Sequence, residues 1–60
     1  QFPDYLPTYY QLAKLFEEFE QEEKALAVYQ EGISLAKIQG EHKTLGELNT
    51  AYQNLLFEMD

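Results

Sequence analysis

His42 is the sole histidine of this chain, and there is no cysteine. A catalytic base needs a nucleophile or acid held beside it, and a zinc site needs three or four ligands. His42 falls in a connecting segment with no such residues around it, so a structural or merely exposed role is expected. Glu17, Glu18, Glu20, Glu22 and Glu23 form an acidic run. A cation or a basic peptide would suit it. It lacks the Asp, Asn and Gly pattern of a calcium loop, and glutamates at a helix junction usually form a solvated edge favoured by the helix dipole. No nucleophile–base pair and no ligand set emerges. The chain therefore reads as a non-enzyme with no cofactor and no metal. What remains are contact residues, chiefly tyrosines and a lysine near a glutamate. Their use depends on the elements that carry them.

Those elements are helices. Pro occurs only at positions 3 and 7, and Gly only at 32, 40 and 46. A first helix is predicted over about 7–19. Pro7 suits its first position, with Asp4 or Leu6 at the cap. Tyr9, Leu12, Ala13, Phe16 and Phe19 recur at steps of three and four and form one apolar stripe. A second helix is predicted over about 21–39, with Glu22 and Glu23 in the first turn and Lys37 in the last, as the dipole prefers. Its stripe is Ala25, Leu26, Tyr29, Gly32, Ile33 and Ala36, and Gly40 reads as its left-handed terminator. Gly32 inside a helix costs about 1 kcal/mol relative to Ala, which implies close approach of another helix. A third helix is predicted within 41–60. It starts at Glu41, which makes Gly46 internal, or at Thr44, which has capping-box spacing to Glu47. Its stripe is Leu45, Leu48, Ala51, Tyr52, Leu55, Leu56 and Met59. Leu35, Ile38 and Phe57 fall off the stripes. Short connections make neighbouring helices antiparallel, and the fold class is all-α.

The bulk numbers limit the partners. Lys and Arg total 4 against 11 Asp and Glu, a net charge of −7. Nucleic-acid binders rely on a positive surface, so nucleic acid and anionic membranes are not expected. No apolar run approaches the roughly 20 residues that cross a bilayer. The lack of cysteine fits a reducing, cytoplasmic compartment. The opening Gln1-Phe2-Pro3, with no initiator Met and no signal peptide, suggests an internal cut. At 60 residues a domain is marginal by itself, so a neighbouring repeat or a second copy, and hence a homo-oligomer, is expected to help.

Helices of similar length invite a search for a repeat. Tyr9-x2-Leu12-Ala13-x2-Phe16 is followed by Ala25-x3-Tyr29 and then by Gly32. This spacing resembles the tetratricopeptide (TPR) repeat, with aromatic and small residues at the family's positions. The repeat closes on Pro, where this chain has Lys37, a departure from the pattern. Pro3 lies one repeat length earlier and looks like the end of a preceding repeat, with residues 1–6 as its tail. Leu45-x2-Leu48-Asn49-x2-Tyr52 half-matches a first repeat helix. It starts two residues late, and Asn49 replaces the small packing residue. A terminal capping helix over 41–60, closing one repeat over 7–39, fits this.

The resemblance implies a non-catalytic module for protein–protein interaction. In this family the first helices of successive repeats line a concave groove for peptides. Mapped onto this sequence, the groove residues are Tyr10, Lys14 and Glu17, with Pro7 at the rim. On the third helix they are Thr50, Gln53 and Asn54. An ion pair between Lys14 and Glu17 is also expected from their spacing. Lys14 is the only basic residue on this face, so the Lys/Arg/Asn clamp that some members use for a terminal carboxylate is not expected. The alternative is a structural end-cap that associates with itself and has no ligand of its own.

Overall fold

The structure, a computed structural model, describes residues 6–59. It consists of α1 (Leu6–Glu18), α2 (Glu22–Gln39) and α3 (His42–Met59), and no strand occurs among the described residues. The expectations for Pro3 and Asp4 lie outside them. Leu6 belongs to α1 and is buried, so it is neither a cap nor part of a tail.

The helix ends explain the short connections. α2 stops in a Schellman turn. Gly40 adopts φ 71°, its N–H points back to Ala36 and Lys37, and the Glu41 N–H reaches Ala36 O at 3.0 Å. α1 stops in the same way without a glycine. Glu20 takes φ 60°, its N–H bonds Glu17 O at 3.0 Å, and the Gln21 N–H bonds Phe16 O at 2.9 Å. Phe19 is the last residue held by an α-helical bond, its N–H to Leu15 O at 3.2 Å. It is 63% exposed and does not join the core stripe. α3 begins at His42, with the Leu45 N–H bonded to Glu41 O at 2.8 Å. The earlier of the two expected starts is therefore the observed one. Thr44 lies inside the helix and the Thr44–Glu47 capping box does not form, because the Schellman turn already delivers the chain into helix at His42.

α2 is the central element. α1 packs along one side of it and α3 along another, while α1 and α3 meet each other only marginally. The core joins Leu6, Tyr9 and Ala13 of α1, Ala25, Val28, Tyr29 and Ala36 of α2, and Leu48 and Leu55 of α3. Ala13, Ala25 and Ala36 have no exposed surface, so the small side chains lie where the helices approach closely. Gly32 is the tightest point. A Cβ there would sit 3.0 Å from Tyr9 Cβ and 3.1 Å from Leu48 Cδ1. All three helices thus converge on one missing methyl group.

Two further expected core positions, besides Phe19, are not in the core. Leu56 and Met59 are 38% and 40% exposed. They continue the apolar period of α3, but Met59 faces only the charged first turn of α2 across an open depression. Val28 is buried although it was not placed on the α2 stripe. As the middle helix, α2 presents a wider apolar arc than a helix with one neighbour needs. Ile38 and Phe57 are 82% and 86% exposed.

Candidate functional site

α1 and α3 pack against different sides of α2 without closing on each other, and a groove of about 600 Å³ opens between them. Its α1 wall is Tyr10, Lys14 and Glu17, at steps of four and three. Its α3 wall includes Lys43, Gly46, Glu47, Thr50, Asn54 and Glu58, with Ala51 and Leu55 deeper. A smaller apolar recess of about 160 Å³ lies at one end, against Leu6, Pro7, Tyr10 and Leu48.

Five of the six residues mapped from the sequence, Tyr10, Lys14, Glu17, Thr50 and Asn54, line this one groove. Gln53 does not. It borders a separate depression with Leu56, Phe57 and Met59. A helix turns about 100° per residue, so Gln53 sits on the Gly46 side of α3, about 100° from Asn54, at the groove's outer edge. Pro7 stands in the end recess, at the rim. The sequence mapping also missed Lys43 and Gly46. Both belong to the groove because α3 starts at His42, so Lys14 is not its only basic residue.

The α1 wall is held by a network. Lys14 Nζ lies 4.0 Å from Glu17 Oε1 and 6.0 Å from the centre of the Tyr10 ring. The other Glu17 oxygen, Oε2, accepts a 2.5 Å hydrogen bond from the buried Tyr29 hydroxyl. Tyr29 in turn meets Tyr10 edge to face, with ring centres 6.4 Å apart. Burial raises the Tyr29 phenol well above its usual range, and its bond to the Glu17 carboxylate adds to the effect. Tyr29 therefore stays a neutral donor and fixes Glu17 at the groove edge. Tyr10 remains 39% exposed, with one face on this network and the rest toward the groove. A rigid aromatic in this position offers contact area at low entropic cost.

Across α2, the Gln30 amide donates to the Tyr52 hydroxyl at 2.7 Å, tying α3 to α2 away from the groove. The acidic run does not gather into one site. Glu17 is in the network, while Glu20, Glu22 and Glu23 border a depression with Lys24 and Met59. His42 opens α3, and no group of three His, Cys, Asp or Glu that could hold a metal occurs among the described residues. No helix in that span is long and apolar enough to cross a membrane.

The chain matches no protein-family model, and no curated protein or solved structure is significantly similar to it.

Proposed function

We propose that this chain is a TPR-like, non-catalytic interaction module that binds a peptide or protein partner in the groove between α1 and α3. One observation carries the reading: Tyr10, Lys14, Glu17, Thr50 and Asn54, spread over two helices, line a single open groove above α2. The spacing of Tyr9 through Gly32 and the close approach at Gly32 support a TPR-like repeat closed by a capping helix. A cytoplasmic setting accords with the cysteine-free sequence.

The test is selection from a displayed random 12-residue peptide library on the full chain, followed by affinity measurement on a Tyr10→Ala, Asn54→Ala double variant. Tyr10 also meets Tyr29 edge to face, so affinities are compared at a temperature where circular dichroism shows both forms folded. The variant's affinity for the selected peptides should fall tenfold or more. Peptides that bind both forms equally, or a library that yields none, would refute the groove.

A second reading has its own observation. Leu56, Phe57 and Met59 expose a continuous apolar strip at the end of α3, which favours an end-cap that associates with another copy. Sedimentation of the chain and of Phe57→Glu distinguishes the two, because only self-association through this strip makes the wild type the larger species.

A further inference from the structure

The three helices alternate in direction. Gly32 meets Tyr9 and Leu48, Tyr29 meets Glu17, and Gln30 meets Tyr52, so numbers rise along α2 as they fall along both neighbours. The two ends of the molecule therefore differ. One end holds the close of α3, where Leu56, Phe57 and Met59 are exposed, Phe57 to 86%. Met59 also borders the first turn of α2, with Glu20, Glu22, Glu23 and Lys24. No ion pair engages those glutamates among the described residues. The apolar strip is thus continuous with an acidic edge. The other end holds the recess of about 160 Å³, walled by Leu6, Pro7, Tyr10 and Leu48, with Gln11, Thr44 and Glu47 also lining it. Lys37 closes α2 and Lys43 opens α3 at this end, against Glu41 and Glu47, so it is close to neutral. Apolar cavities of about 150 Å³ hold a benzene ring, and the recess suits one phenyl group. Phe57 cannot enter the recess of its own chain. It lies nine residues beyond Leu48 on one helix, about 13 Å at 1.5 Å per residue.

We infer that copies of this chain associate head to tail, with Phe57 of one copy seated in the Leu6–Tyr10–Leu48 recess of the next. This rests on the self-association reading above and names the surface that receives the strip. Charge decides between the two ways of pairing. A strip-to-strip contact is two-fold and isologous, so it sets two acidic edges side by side, and like charges repel. A head-to-tail contact sets the acidic edge against the nearly neutral end with its two lysines. Such a contact is heterologous and repeats from copy to copy, so association runs past the dimer as concentration rises. The molecule measures only 22 × 12 Å across its long axis, and stable interfaces bury about 800 Å² per partner. The contact is therefore weak and needs high concentration.

The test is sedimentation velocity on the full chain and two variants over a wide concentration range. Phe57→Glu removes the knob and keeps the recess. A Gln11→Glu, Thr44→Glu double variant puts charge at the recess and keeps the knob. Glutamate in the first turn of α3 suits the helix dipole, Gln11 is exposed, and circular dichroism checks that both variants stay helical. If the double variant loses helix, Gln11→Glu alone takes its place. Wild type should grow past the dimer with concentration, and each variant alone should stay monomeric. Their equimolar mixture should form a one-to-one dimer and stop there, since one intact knob meets one intact recess. A double variant that associates like wild type would overturn this inference and leave strip-to-strip association standing. A mixture that stays monomeric while wild type associates would overturn it as well. A wild type that is monomeric at every concentration would remove both readings.

Discussion

Tyr29 is fully buried and spends its hydroxyl on Glu17, across the α1–α2 pair. Its pKa is raised in the folded chain, by burial first and then by the Glu17 carboxylate. Unfolding returns it to about 10, so the folded state holds the proton more tightly. The contribution is complete below pH of about 10 and is lost as pH rises beyond it toward the folded value. Urea melts should therefore give a constant contribution from this group up to that pH and a decline above it, and Tyr29→Phe should lower stability by about 1 kcal/mol at neutral pH and flatten the alkaline decline. An equally steep decline in Tyr29→Phe would assign it to other groups. Gly32 makes a second prediction of this kind. Ala at this position gains about 1 kcal/mol of helix propensity, but its methyl would meet Tyr9 Cβ at 3.0 Å, an atom next to the backbone that cannot swing aside. Overpacking costs about 1–3 kcal/mol, so Gly32→Ala should be net destabilising in the same melts, and a more stable variant would mean that α1 yields easily. Gly32 was legible in the sequence because a helical glycine among apolar residues points to close approach. Gly46 has no such explanation: it is helical with open space around it.

The two helix ends test how turn geometry is encoded. Gly40 and Glu20 occupy the same left-handed position of the same turn, at φ 71° and 60°. Glycine pays no steric cost there, whereas a side chain costs about 1–2 kcal/mol. Glu20→Gly should therefore stabilise the chain by roughly 1 kcal/mol, read as a higher urea midpoint with an unchanged m-value. No gain would imply that the acidic side chain contributes something at the turn that its backbone geometry does not show. The same pair explains which boundaries could be read. Gly40 announced the end of α2. Nothing in Phe19-Glu20-Gln21 announces a Schellman turn, so the apolar spacing alone carries α1 one residue too far and assigns Phe19 to the core. At α3 the Thr44–Glu47 spacing offered a start that competed with Glu41. The chain direction imposed by the Gly40 turn decided between them, and that is a property of two helices together and not of either sequence alone. The same decision brought Lys43 and Gly46 into the groove.

At the scale of the whole molecule, the arrangement is an open layer. The Cα extents are 30 × 22 × 12 Å, and α1 and α3 both depend on α2 more than on each other. A closed three-helix bundle would leave no groove between α1 and α3. The openness that makes the groove thus also leaves α3 with a single main neighbour. Its attachment rests on Leu48 and Leu55, both fully or nearly buried, and at Leu48 the side chain lies directly over Gly32. Removing three carbons from a buried leucine costs about 2–5 kcal/mol. A chain of this length holds only about 3–9 kcal/mol in total, at roughly 0.05–0.15 kcal/mol per residue. Leu48→Ala should therefore remove most of the stability, with much of the 222 nm ellipticity lost at 25 °C without denaturant. Leu56→Ala, four-tenths exposed on the same helix, should cost under about 1 kcal/mol. The contrast is diagnostic because both substitutions delete the same atoms from the same helix. If Leu48→Ala melted within about 1 kcal/mol of the parent, α3 would not be held over Gly32. The α3 wall of the groove would then lack its anchor, and the proposed groove reading would fail with it.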